Sequence, residues 1–195
     1  MQLKTLKLAL LLISGILSSQ SCTAQQDNVY EGCCGTAPKT YQVDNYSVYI
    51  PNVITPNGDS INDAFYPICN IMEQGKFAVA NYFIFDSDST IIFAQKGLDV
   101  TNPESWGFSG TAYEKPFRFA FPYAYTGKFW YSFILAFNNG DGTEQLIEVS
   151  GEGCVVRCDD DAVIFRDKEG CYFPVQGRGG RYDPASPNQE THCFE

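Results

Sequence analysis

The sequence predicts an all-β protein, an immunoglobulin-like β-sandwich with a short disulfide-stapled C-terminal extension. Three observations carry that prediction. Aromatic and aliphatic residues recur with period two, most clearly over residues 128–138. Clusters of Asn, Asp and Gly stand between the alternating runs and supply hairpin turns. Helical periodicity is scarce after the first residues, so two sheets packed face to face are the simplest way to bury the apolar surface. At 195 residues, 44% hydrophobic and 18% charged, the chain can build a core of ordinary size.

The chain opens with Lys4 and Lys7, an apolar run over residues 8–17, and small and polar residues leading to Ser21 and Cys22. Residues 1–21 read as an export signal, because the apolar run is shorter than the roughly 20 residues a membrane span needs. Cys22, after the small Ser21, reads as a lipidated first residue. Cleavage after Ala24 is the competing reading, since Ser19 stands where a lipoprotein signal usually has a larger aliphatic residue. Either route places the mature chain outside the cytoplasm, at the outer membrane or cell surface if anchored and secreted if not. Loss of residues 1–21, which hold two lysines and no acid, takes the formal charge from −10 to −12. Such a surface repels phosphate backbones and anionic lipid heads, which argues against nucleic acid and leaves membrane contact to the anchor. Cations or basic surfaces suit it better, and plain solubility is an equal explanation.

With Cys22 set aside, Cys33, Cys34, Cys69, Cys154, Cys158, Cys171 and Cys193 remain. In an exported chain they read first as disulfides, and their odd number leaves one over. Cys33 and Cys34 precede the first strand-like segment, and Cys154 and Cys158 follow the last. Bridges between those pairs would staple the ends of the sandwich, Cys171 and Cys193 would close the tail, and Cys69 would be the odd thiol. Zinc is the competing reading of the Cys154, Cys158 spacing, but an oxidising compartment and a lone His192 weigh against it.

Residues 22–40 read as a polar tether carrying the cysteine pair, 41–158 as the sandwich and 159–195 as the extension. Residues 41–50 have strand spacing with a break at Asp44 and Asn45. Residues 49–67 hold a polar loop in which Asn57, Gly58, Asp59, Ser60, Asn62 and Asp63 concentrate turn chemistry. Residues 77–85 form an apolar run read as buried on both faces, and residues 86–89 turn it into a returning strand over 90–94. Over residues 117–125 every second position is Phe or Tyr, which puts the rings on one side of a segment that Pro122 confines to an edge or a bulge. Residues 128–138 place Phe129, Tyr131, Phe133, Leu135 and Phe137 on one face and Trp130, Ile134 and Ala136 on the other, as a central strand requires. Residues 139–142 are a hairpin turn, and residues 144–149 pair back. Beyond Cys158 come Asp159 to Asp161, a short strand over 162–165 and a Gly- and Pro-rich tail with too few residues for its own core.

The stretch TPNGDSIND followed by an aromatic resembles the signature that opens the gliding-motility-associated C-terminal domain of Bacteroidetes surface and secreted proteins. The early Cys33, Cys34, Gly35 and the late Cys154 and Cys158 resemble features of single-domain, lipoprotein-like members. The resemblance implies a cell-surface protein associated with gliding motility and type IX secretion, and a partner in the envelope or secretion machinery. Ser60 stands where that signature usually has Gly, and residues 86–88 replace its Arg-Trp-Gly turn.

Asn57, Asp59, Asn62 and Asp63 are the candidate metal ligands, since oxygen donors at this spacing suit Ca2+. The competing reading is a network of Asx turns that fixes the loop without metal. Asp159, Asp160, Asp161 and Asp167 read as a solvated acidic face. No motif selects a catalytic pair, and His192 in the tail is a poor general base, so no enzyme is expected. Trp106, Tyr123 and Tyr125 are candidates for stacking on a surface glycan, with Trp130 and Tyr113 also available. The expected function is a lipid-anchored structural or interaction module, the alternative a carbohydrate-binding surface protein. A structural module should bury the rings of residues 117–125, and a sugar binder should expose a planar patch beside polar groups.

Overall fold

The computed structural model describes residues 28–71, 73–102, 107–113 and 122–163. The expected export signal, the candidate lipidation residue Cys22, Trp106, Cys171, His192 and Cys193 lie outside them, as do most of the 117–125 stripe and all of the expected extension past Val163. Ten strands carry the described chain: β1 Lys39–Val43, β2 Tyr46–Ile50, β3 Val53–Ile54, β4 Ile68–Cys69, β5 Phe77–Phe85, β6 Ile91–Leu98, β7 Thr111–Tyr113, β8 Pro122–Ala124, β9 Gly127–Asn138 and β10 Glu144–Val155. The fold is all-β. A five-stranded sheet ordered β3-β10-β9-β5-β6 faces a three-stranded sheet ordered β1-β2-β4, and β7 with β8 forms a separate ribbon.

β9 is the spine of the large sheet, as its alternation requires. Phe129, Tyr131, Phe133, Leu135 and Phe137 are all buried, whereas Lys128, Trp130, Ser132 and Ile134 point to the other side and are partly exposed. Fully burying side chains of this size contributes about 1.5–3 kcal/mol each. The Tyr46 and Phe137 rings meet across the two sheets with centroids 5.0 Å apart, and the Tyr46 hydroxyl donates to the Asn138 carbonyl at 3.0 Å.

Two glycines of β10 explain how the largest rings fit. Gly151 and Gly153 stand directly opposite Tyr131 and Phe129 in the ladder, and those rings lie across them in the space a side chain would fill. Glycine in a strand interior costs backbone entropy, and here ring packing offsets that cost.

Several expectations are corrected. The break at Asp44 and Asn45 is a two-residue hairpin turn, with Asp44 at φ 48°, so residues 39–50 are two paired strands. The run over 77–85 is not buried on both faces: Phe77, Val79, Tyr82 and Ile84 face the core, while Phe83 and Phe85 are partly exposed. A register shift between Ala80 and Phe83, with Asn81 at φ 51°, keeps the aromatic positions in phase. The tether reading of residues 22–40 does not hold from Asn28 onward. Tyr30 and Cys33 are buried, a 3-10 turn spans Glu31–Cys33, and both residues pack with Val53, Cys154, Val156 and Ala162. Of the strand expected over 162–165, residues 162 and 163 belong instead to one helical turn, Asp160–Val163, in which Asp159 Oδ1 caps the Ala162 N–H at 3.0 Å, and residues 164–165 lie outside the described residues.

Cys33 is bridged to Cys154, 121 residues away, which joins the N-terminal turn to the end of β10. Cys34 and Cys158 are also disulfide-bonded. Cys69 is a free, buried thiol whose pKa is raised by burial. The Cys171 to Cys193 pairing lies outside the described residues.

Candidate functional site

Residues 56–63 form the crossing between the sheets. β3 belongs to the large sheet and β4 to the small one, and the chain between them must change layers. The crossing is anchored at both ends by buried residues. Thr55 N–H donates to the Asn62 carbonyl at 2.8 Å. Phe65, fully buried, places its ring 5.0 Å from that of Phe129 and 4.9 Å from that of Tyr131, while its carbonyl accepts the Tyr82 hydroxyl at 2.5 Å.

Inside the loop, Asp63 is the hub. Its Oδ1 accepts the N–H groups of Asn57 at 2.9 Å and Gly58 at 2.8 Å, and its Oδ2 accepts the Ser60 N–H at 2.8 Å. Asp59 Oδ1 accepts Ile61 N–H at 2.8 Å and its Oδ2 accepts Asn57 Nδ2 at 3.1 Å, while Asn57 Oδ1 accepts Asp59 N–H at 2.9 Å. Asn62 is buried, whereas Asn57 and Asp59 are exposed. The four candidate ligands are thus close in sequence, but their carboxylates turn inward onto the loop's own N–H groups, the Asx-turn arrangement. Among the described residues no group of three or more acidic, Cys or His side chains converges on a point suited to a metal. Ser60 holds φ 69°, the left-handed region, at the position where the resembling signature has glycine.

The aromatic candidates separate. Trp106 lies outside the described residues. Tyr123 is 38% exposed, whereas Tyr125, two residues on, packs its ring against Phe108 and donates its hydroxyl to the Lys128 carbonyl at 2.5 Å. Burial raises the Tyr125 phenol to about 12, with the nearby charges of Asp86, Tyr123 and Asp88 adding to it. The period-two stripe therefore breaks at its end: Tyr125 leaves the β8 pairing and turns inward. Arg157 holds that turn, donating from Nη2 to the Gly110 and Tyr125 carbonyls at 2.6 and 2.8 Å.

A better stacking site lies on the outer face of the large sheet. Trp130 sits between its ladder partners Phe85 and Glu152. Its indole N–H donates to Glu152 Oε1 at 3.1 Å, Lys128 Nζ stands 5.0 Å from the ring centroid, and Lys128 pairs with Glu152 at 2.8 Å. The ring is held by two contacts, whose donor and acceptor partners are themselves paired, before any ligand arrives. With Phe85, Asp86, Ser87 and Ser89 it lines a groove of about 350 Å³. Asp86 shapes the groove's rim, accepting the N–H groups of Asp88 at 3.0 Å and Thr90 at 2.8 Å. The sequence places Trp130 on the outward face of an otherwise core-building strand, and that was the available signal. What could not be read was the hairpin turn over 86–89 brought beside it.

Compared with protein-family models, curated proteins and solved structures, the chain matches none.

Proposed function

We propose that this chain is an exported, non-enzymatic interaction module of the cell envelope, anchored through a lipid on Cys22 and related in role to gliding and type IX secretion proteins. The observation that carries the reading is the disulfide chemistry: Cys33 is bonded to Cys154, and Cys34 and Cys158 are also disulfide-bonded, which supports a compartment outside the cytoplasm. An export-like start and the TPNGDSIND stretch support the same placement. The non-catalytic part rests on the sequence, where no motif selects an acid, base or nucleophile. The test is the intact, non-reduced mass of the mature protein from its native membrane fraction. The reading expects a chain beginning at Cys22 with acyl mass added and most cysteines oxidised. A soluble chain beginning at Gln25 would remove the anchor, and a chain retaining residues 1–21 with reduced thiols would overturn export.

A second reading, a carbohydrate-binding surface protein, is favoured by the Trp130 groove, where a fixed ring lies beside Asp86, Ser87 and Ser89. Glycan-array binding that is lost in Trp130→Ala and kept in Tyr123→Ala would support it. Binding indifferent to Trp130 would reject this groove.

A further inference from the structure

We propose that the outer edge of β10 is a docking site for an extended, basic segment of a partner protein, which would add to the large sheet as a strand. β9 pairs with β10 along its full length from Glu144 to Val155, but among the described residues a strand covers the other side only at Cys154 and Val155, where β3 pairs. In an antiparallel ladder, backbone groups of alternate residues point to opposite sides. Cys154 N–H donates to the Asn52 carbonyl at 2.8 Å and Val156 N–H to the Ile54 carbonyl at 2.9 Å, both away from β9. The pairing has no register shift, so Leu146, Glu148, Ser150 and Glu152 turn their N–H and C=O groups to that same side. One side chain reaches them among the described residues: Lys39 Nζ donates to the Ser150 carbonyl.

Natural edges are usually blunted by proline, charged side chains and lysine above all, a bulge or a covering element, and the charges of this edge are the acids Glu144, Glu148 and Glu152. Residues 144–152 contain neither proline nor lysine, and Leu146 on the outer face is 59% exposed. Charge selects the occupant. A second copy of this chain pairing about Glu148 would set Glu148 against itself and Glu144 against Glu152, and like charges directly opposed are destabilising. A strand with Lys or Arg at every second position sets cations opposite Glu144 and Glu148 instead. Neither glutamate has an ion pair among the described residues, whereas Glu152 is already held by Lys128. The Lys39 contact shows the chemistry in miniature, an ammonium group seated on an edge carbonyl. The acidic chain adds long-range attraction for a basic partner. Main-chain bonds would supply the affinity and the outer-face charges the specificity. This gives the interaction reading above a surface and a partner chemistry, yet it stands on strand geometry and edge charge, so loss of the lipid anchor would leave it intact.

The test is amide hydrogen exchange on the mature protein, with and without a short peptide alternating lysine with valine or threonine. Without peptide, the amides of Leu146, Glu148, Ser150 and Glu152 should exchange faster than those of Ile147, Val149 and Gly151. The lysine peptide should slow those four, and its glutamate counterpart should not. Ser150→Pro removes an edge donor without taking a bond from β9, and should abolish the slowing. Glu148→Lys, at an exposed position, should weaken peptide binding roughly tenfold and keeps the test standing if the proline variant fails to fold. Edge amides as protected as Val149 in the free protein would overturn the proposal, because the edge would already be covered. So would peptide binding that leaves the four amides unchanged or that survives Ser150→Pro, since charge attraction alone would then explain it.

Discussion

Gly153→Ala separates the packing account of β10 from simple strand propensity, because the two predict opposite signs. Alanine is preferred to glycine in a strand interior by roughly 0.5–1 kcal/mol, so propensity alone predicts stabilisation. Packing predicts the reverse. A Cβ at Gly153 would lie 2.8 Å from Cε2 and 3.1 Å from Cε1 of Phe129, and closer still to Cζ. Carbon atoms rest at about 3.5–4.0 Å, so the ring would have to retreat by a large part of an ångström. It has nowhere to go: Phe129 is fully buried, with the Phe65 ring 5.0 Å away and the Phe108 ring 5.5 Å away. Overpacking of a rigid core costs about 1–3 kcal/mol, and the upper end applies where backbone meets an immobile ring. A loss of about 3 kcal/mol corresponds to a fall in Tm of roughly 10 °C for a domain of this size. Urea and thermal denaturation under non-reducing conditions would read it. Phe129→Leu should destabilise alone, yet in the Gly153→Ala background it should cost less than the two separate losses added together, since the smaller side chain removes the clash. Gly153→Ala as stable as the parent, or strict additivity of the pair, would refute the reasoning.

Three further outcomes follow from the same structure. Cys33→Ser, which removes a link across 121 residues, should lower stability, with about 5 kcal/mol of loop entropy as the ceiling because Cys34 and Cys158 are also bonded, measured by urea denaturation against the oxidised parent. Asp63→Asn turns an acceptor of the Ser60 N–H into a competing donor and should cost about 1–3 kcal/mol, while EDTA should leave the parent's Tm unchanged if N–H groups alone organise the loop. In alkali, burial raises the phenols of Tyr30, Tyr82, Tyr125 and Tyr131 above the ordinary 10.0. The unfolded chain then gives up protons that the native one keeps, so the contribution is full below pH 10 and is lost as pH rises; for Tyr125 the loss runs from pH 10 to about 12. A pH series of denaturation midpoints should fall steeply above pH 10, at up to about 1.4 kcal/mol per pH unit for each such tyrosine.

What the sequence determined by itself was local. The alternation from Phe129 to Phe137 reports which side chains face inward, because strand geometry has period two whatever the neighbours are. The Asn and Asp density of residues 57–63 announces a turn-dense loop, because those side chains reach backbone N–H groups two or three residues away, but the choice between Ca2+ and self-bonding came from the structure. The first and last cysteine groups were legible as staples from their places at the domain's ends. Four features belonged to the tertiary structure alone. The tether became part of the core because Tyr30 meets Asp159, with its hydroxyl donating to Oδ2 at 2.8 Å, a contact between residues 129 positions apart. Gly151 and Gly153, which propensity reads as strand weakeners, became the floor beneath Tyr131 and Phe129 only once β9 and β10 were in register. The Trp130 groove and the edge of β10 that the described strands leave unpaired likewise depend on which strands are neighbours and where their pairing stops. Periodicity names the face a residue takes, but strand order is set by packing between distant segments, and no local pattern encodes it.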